Sequence, residues 1–251
     1  MKKNDLVYTA LVAGVFAALT VWRRDLFIQA WHVSAAQMAA GGASRWHLLG
    51  EAALFAAILA FTIWIIPRRA RPGHDAAVLA AGLAAGWLAE CWGTRLGLWS
   101  YYTSEQPPLW VVPAWGLGCL AVERTAQTLQ ERCLGRIRSR ALELGYWVLA
   151  VSAMLYCAAF SWPWRGQAGT MAAWLVLAGA LFWRPRPGSD FWPLATGIVC
   201  VSAADLWGTT NGCWRYYVQD GSVRGLGLGI GFGMVFDASL VLGCLKLVRK
   251  I

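Results

Sequence analysis

The sequence predicts an all-α integral membrane protein of about eight transmembrane helices in two parallel four-helix repeats. Three observations predict it: a charge-poor composition, eight apolar stretches of spanning length, and one long motif that occurs twice. Of 251 residues, 58% are hydrophobic and 14% charged, with a mean hydropathy of +0.48. Soluble domains carry about 25% charged residues, so this chain has too little polar surface to cover a water-soluble globule. A spanning helix needs about 20 mostly apolar residues. The candidates are roughly 6–22, 47–66, 76–98, 109–129, 141–160, 167–183, 191–210 and 225–247. The first reads as a span rather than a cleaved signal, because no small-residue cleavage site precedes Arg23 and Arg24.

The loops carry the orientation. With the amino terminus cytoplasmic, one side holds Lys2, Lys3, Arg68, Arg69, Arg71, Arg124, Arg132, Arg136, Arg138, Arg140, Arg184, Arg186, Lys246, Arg249 and Lys250, fifteen of the 22 cations. The other side receives Arg23, Arg24, Arg45, Arg95, Arg165, Arg215 and Arg224, the remaining seven. The bias predicts eight spans with both termini cytoplasmic, in the inner membrane if the source is bacterial. The net charge of +9 is then a topology signal and a match to anionic lipid headgroups. No basic stripe stands apart from membrane edges, which argues against nucleic-acid binding. Many of the 17 tryptophans fall at predicted helix ends, where interfacial belts gather them.

The duplicated motif organises the chain. Glu90-Cys-Trp-Gly-Thr-Arg-Leu-Gly-Leu-Trp-Ser-Tyr-Tyr102 recurs as Asp205-Leu-Trp-Gly-Thr-Thr-Asn-Gly-Cys-Trp-Arg-Tyr-Tyr217. Seven of thirteen positions are identical and an eighth keeps the acid, far above the about 5–8% per position that residue frequencies give by chance. A second acid follows at nearly equal distance, Glu123 in one half and Asp237 in the other. The boundary falls in the arginine-rich stretch 130–140, giving halves 1–135 and 136–251. An even number of helices per half makes the repeats parallel, related by an axis along the membrane normal.

Glu90, Glu123, Asp205 and Asp237 are the candidate catalytic residues, expected near mid-membrane. A charged side chain at that depth costs about 2.5–3.5 kcal/mol on insertion scales, so such acids face an interior site. A carboxylic acid held neutral in a dry pocket can act as a general acid. Trp92, Trp99, Tyr101, Tyr102, Trp207, Trp214, Tyr216 and Tyr217 are candidate substrate-binding residues, whose ring faces stabilise cations by about 0.5–2 kcal/mol each. Thr94 and Thr209 join them and can satisfy backbone groups where a helix ends. Acids among aromatic faces suit protonation of an alkene and shielding of the carbocation. The same acids could instead pair with Arg95, Arg215 or indole N–H groups, and the rings could be belt residues. Glu51 and Glu143 read as structural, Glu105 and Asp220 as solvated loop charges.

Several chemistries are excluded. His32, His47 and His74 form no HxxxH or HxxH pair, which removes histidine-clustered di-iron enzymes. The seven cysteines include no CxxC pair, so neither a disulfide framework nor a zinc site is predicted. No DDxxD diphosphate site and no mid-helix lysine for a Schiff base occur. The run Gly225–Gly233 opens a membrane helix with no strand before it, so it reads as helix packing rather than a dinucleotide loop. No metal or cofactor is expected.

The acid–Gly–Trp–Tyr pattern resembles the membrane-embedded carotenoid-modifying enzymes: the lycopene cyclases of the heterodimer type, built from homologous multi-helix domains, and carotenoid hydratases of similar topology. The likeness covers about 85–125 and 200–240. It implies a metal-free enzyme acting on a long isoprenoid or carotenoid-like substrate by acid-initiated alkene protonation, as a cyclase (isomerase) or hydratase (lyase). It also implies acid/base roles for Glu90, Glu123, Asp205 and Asp237. The cyclase domains carry a proline–acid motif on the returning helix, where this chain has Pro113, Ala114 and Trp115. The other reading from the residues is non-enzymatic: a lipid-binding protein, transporter or assembly subunit. Expected partners are membrane lipids and a hydrophobic small molecule, with room for an oligomer or larger complex.

Overall fold

The computed structural model describes residues 3–41, 44–133 and 136–249, with side chains from residue 7 onward. Lys2, Lys250, the Lys3 side chain and the boundary at residue 135 lie outside the described part. Among the described residues there are nine α-helices: α1 Lys3–Trp22, α2 Arg24–Ala39, α3 Arg45–Ile65, α4 Pro72–Arg95, α5 Val112–Cys133, α6 Ser139–Phe160, α7 Ala168–Phe182, α8 Pro187–Thr210 and α9 Val223–Val248. Two short strands, β1 Trp99–Tyr101 and β2 Trp214–Tyr216, form the one sheet among these residues.

Each of the eight expected stretches lies on a helix, but five are both long and apolar enough to cross a membrane: α3, α4, α6, α8 and α9. The apolar parts of α1 (Val7–Trp22) and α7 (Ala168–Phe182) are shorter, and α5 is interrupted by Glu123, Arg124, Glu131 and Arg132. The sequence reading also lacked α2, whose Arg24, Asp25, Gln29 and His32 break up any spanning run. The outside of the bundle is apolar, with Leu175 72% and Val199 70% exposed. Water would penalise such a surface, and a multi-pass membrane protein needs it.

Helix starts follow local chemistry. Pro72 and Pro187 sit in the first turns of α4 and α8, where the missing N–H costs nothing. Asp75 Oδ2 then accepts from Arg71 N at 2.9 Å, and Asp190 Oδ2 from Arg186 N at 2.9 Å. Ser222 Oγ caps α9 by accepting from Gly225 N at 2.9 Å. The ends of α4 and α8 match too. Gly97 (φ +71) and Gly212 (φ +64) take left-handed conformations. The next residues then close back, Leu98 N to Gly93 O at 2.9 Å and Cys213 N to Gly208 O at 2.8 Å.

Those turns release β1 and β2, which pair antiparallel as Trp99↔Tyr216, Ser100↔Arg215 and Tyr101↔Trp214. Tyr102 N donates to Cys213 O at 3.1 Å and Tyr217 N to Leu98 O at 3.0 Å. Exchanging the two motif copies reproduces every one of these pairs, so a local two-fold passes between Ser100 and Arg215.

The indoles of β1 and β2 fold back onto the helices that precede them. A Cβ at Gly93 would lie 1.9 Å from Trp99 Cη2, and one at Gly208 1.9 Å from Trp214 Cη2. Gly93→Ala and Gly208→Ala are therefore expected to destabilise the protein by about 1–3 kcal/mol each, through overpacking. Gly118→Ala, with nothing within 4 Å of the added Cβ, should be neutral or slightly stabilising. Thermal unfolding in detergent distinguishes the three. Equal midpoints would contradict this packing.

Candidate functional site

Glu90 stands in the last two turns of α4 and is 2% exposed. Its carboxylate accepts from Trp99 Nε1 at 2.8 Å, from Tyr101 OH at 2.9 Å and from Trp115 Nε1 at 3.2 Å. Asp205 holds the matching position on α8. It accepts from Trp214 Nε1 at 3.2 Å and from Tyr216 OH at 3.1 and 3.2 Å. Each repeat thus builds an acid–Trp–Tyr triad. The glycine turn fixes it by bringing strand side chains back over the helix end. Thr94 and Thr209 each bond the backbone carbonyl of their own repeat's acid, at 2.6 and 2.5 Å, and so brace the helix rather than face the centre.

The two triads meet. Burial pushes the Tyr101 hydroxyl well above the ordinary tyrosine value, and the charges of Glu90, Asp237 and Asp205 push it the same way. The Tyr216 hydroxyl is raised in the same sense, by burial and then by Asp205 and Asp237. Three acids from α4, α8 and α9 therefore share one neighbourhood around two phenols. Asp237 differs from the others, being half-buried and accepting no hydrogen bond from any described residue. Ring faces surround the group: Trp92 lies 5.3 Å from Phe236, Trp99 6.1 Å from both Phe232 and Phe236, and Phe232 stacks on Phe160 at 4.1 Å.

Glu123 does not join them. Its Oε1 lies 2.7 Å from His74 Nε2, and its Oε2 accepts from Arg124 Nη1 at 2.9 Å. Arg124 also pairs with Asp75. The near-equal spacing of Glu123 and Asp237 is therefore not a packing equivalence. Trp115 is the α5 residue against Glu90, whereas Gly233 is the α9 residue against Asp205, where a Cβ would lie 1.9 Å from Asp205 Oδ2. One turn further on stand Cys119 and Asp237. The connection between Tyr101 and Val112 is longer than that between Tyr216 and Val223, which shifts the returning helices against each other.

Other expected residues also lie apart. The Tyr102 hydroxyl donates to Asp25 and accepts from Arg23 Nη2 at 2.8 Å. Burial, with the Asp25 bond, pushes it to about 12. Tyr217 OH donates to Phe160 O at 2.7 Å, and Trp207 packs on Phe55 at 4.7 Å. Tyr102 and Tyr217 thus fasten the motif loops to the start of α2 and the end of α6, and Trp207 packs α8 on α3. Glu51, read as structural, accepts from Asn211 Nδ2 at 2.7 Å.

Sequence reasoning missed Trp115, Phe160, Phe232 and Phe236, none of which has a partner in the repeat. It also missed a second duplication, Arg69-Ala-Arg-Pro-Gly-His-Asp75 and Arg184-Pro-Arg-Pro-Gly-Ser-Asp190, at the same offset as Glu90 and Asp205. That offset was the available signal. His74, Asp75 and Glu123 offer metal-ligand atoms within 4.8 Å of one another, yet the Arg124 guanidinium sits against both carboxylates and would repel a cation. In comparisons with known proteins, no family model, no curated protein and no solved structure matches the chain.

Proposed function

We propose that the protein is a metal-free membrane enzyme that protonates an alkene of a long isoprenoid or carotenoid-like substrate, leading to cyclisation or hydration. The observation that carries this is Asp237: a half-buried carboxyl with no described hydrogen-bond donor, beside two acids that are each held by indole and phenol donors. Glu90 and Asp205 act as acceptors in these triads, so Asp237 is the group free to give a proton to the substrate. The faces of Trp92, Trp99, Phe232 and Phe236 shield the cation that forms. The resemblance to carotenoid cyclases and hydratases supports the same substrate class.

In this reading the chain crosses the membrane eight times as two parallel four-helix halves, with both termini cytoplasmic and α2 lying along the opposite edge. The fifteen-to-seven charge split and the two-fold pairing of β1 with β2 support that arrangement. Expression in hosts that accumulate lycopene and other polyenes, followed by chromatography of the pigments, tests the activity.

One observation favours a second reading, a binding or assembly protein without catalysis: the stack Phe160–Phe232–Phe236, at 4.1 and 5.2 Å, fills the interior between the triads with the protein's own rings. Under it, Glu90→Gln and Asp205→Asn weaken ligand binding and no product forms.

A further inference from the structure

The second duplication has diverged in charge. In the first copy, Arg69 pairs with Glu131 and Arg71 lies 3.7 Å from Glu123, while Arg124 holds Asp75. Every arginine of that cluster faces a carboxylate. In the second copy, Arg184 and Arg186 occupy the equivalent positions, and the backbone is conserved down to the left-handed φ at Arg69 (59°) and Arg184 (43°). The helix facing them, α9, offers no glutamates but Lys246 and Arg249, and among the described residues Asp190 is the only carboxylate lining the cavity. Asp190 is 1% exposed and already committed, at 2.8 Å to Arg249 and 3.7 Å to Lys246. Neither Arg184 nor Arg186 makes a side-chain hydrogen bond or ion pair with a described residue. The six residues Trp183, Arg184, Arg186, Asp190, Lys246 and Arg249 line one cavity of about 180 Å³ where α7 ends, α8 begins and α9 ends.

We propose that this cavity binds the phosphate of an anionic membrane lipid headgroup. Arg184 and Arg186 leave two guanidinium charges facing no described carboxylate of their own, which the first copy shows this fold does not require. Basic pockets between helix ends at the membrane edge suit such headgroups, and guanidinium pairs match phosphate oxygens bidentately. Trp183, 62% exposed at the end of α7, is the residue type found at headgroup depth. The inference requires the helices to lie in a membrane but not the polyene chemistry.

Native mass spectrometry of the full chain, released from micelles containing phosphatidylglycerol or phosphatidylcholine, reads the site directly. Wild type should retain phosphatidylglycerol in preference. R184Q/R186Q should lose about fivefold in retention per cation removed, roughly thirtyfold together, while R184K/R186K keeps most of it and Arg71→Gln in the balanced copy leaves it unchanged. Equal retention of both lipids by wild type would overturn the proposal, and that arm decides even if the variants fail to fold. Loss of preference in Arg71→Gln as well would overturn it too. Displacement of the lipid by inorganic phosphate at equal concentration would assign the site to free phosphate and overturn the lipid assignment.

Discussion

Asp237→Asn is expected to lower turnover of a polyene substrate by about 10²–10⁴-fold, the contribution of a positioned general acid, and to leave the fold intact. The amide is isosteric with the carboxyl, and Asp237 has no described hydrogen-bond donor to lose, so removal of the proton is the main change. Glu90→Gln and Asp205→Asn should act differently. Each puts an NH₂ group where indole and phenol donors converge, at 2.8–3.2 Å, so donor faces donor and the triad opens. Those variants should lose stability together with activity, whereas Asp237→Asn loses activity alone. Turnover by purified protein and unfolding midpoints in detergent separate the two cases. A fully active Asp237→Asn would remove this residue from the chemistry.

Arg124→Leu is expected to cost about 3–5 kcal/mol of stability, because it strands two carboxylates that share one buried guanidinium. Arg124 is 1% exposed and holds Asp75 on α4 and Glu123 on its own helix. With it gone, Asp75 and Glu123 face each other, and Glu123 keeps His74 and the more distant Arg71 as neighbours among the described residues. Neutralising both acids in the same chain, as Asp75→Asn with Glu123→Gln, should recover much of the loss. Denaturation of the detergent-solubilised variants measures it. A wild-type midpoint for the single variant would mean that the cluster does not tie α4 to α5.

Residue patterns carried the apolar helices and the acid–aromatic motif well, because both are written in local chemistry. Hydropathy marks α3, α4, α6, α8 and α9, and the glycine, tryptophan and tyrosine positions of the motif are those that build the turn, the fold-back and the triad. What escaped depends on register between distant elements. Trp115 reaches Glu90 only because α4 and α5 pack with small residues in contact: a Cβ at Gly82 would meet Gly116 Cα at 2.9 Å. Nothing along the chain announces that contact. Linear spacing pairs Glu123 with Asp237 because it ignores the unequal loops before α5 and α9. Interrupted by Arg24, Asp25, Gln29 and His32, α2 lacks the unbroken apolar run that marks a spanning helix, yet Ser34 and Val33 cover the end of the second motif at Asn211 and Gly212. The β1–β2 pairing joins segments more than a hundred residues apart in strands of three residues each, too short for a strand pattern to show.

In the proposed function, three acids and their aromatic shell perform proton-driven chemistry on a hydrophobic polyene. Pigment analysis of polyene-accumulating cells expressing the wild-type chain tests it most directly. A new pigment is expected, either isomeric with its precursor or heavier by one water, which disappears in cells expressing Asp237→Asn. Pigment profiles unchanged by the wild-type protein across several acyclic precursors would contradict it.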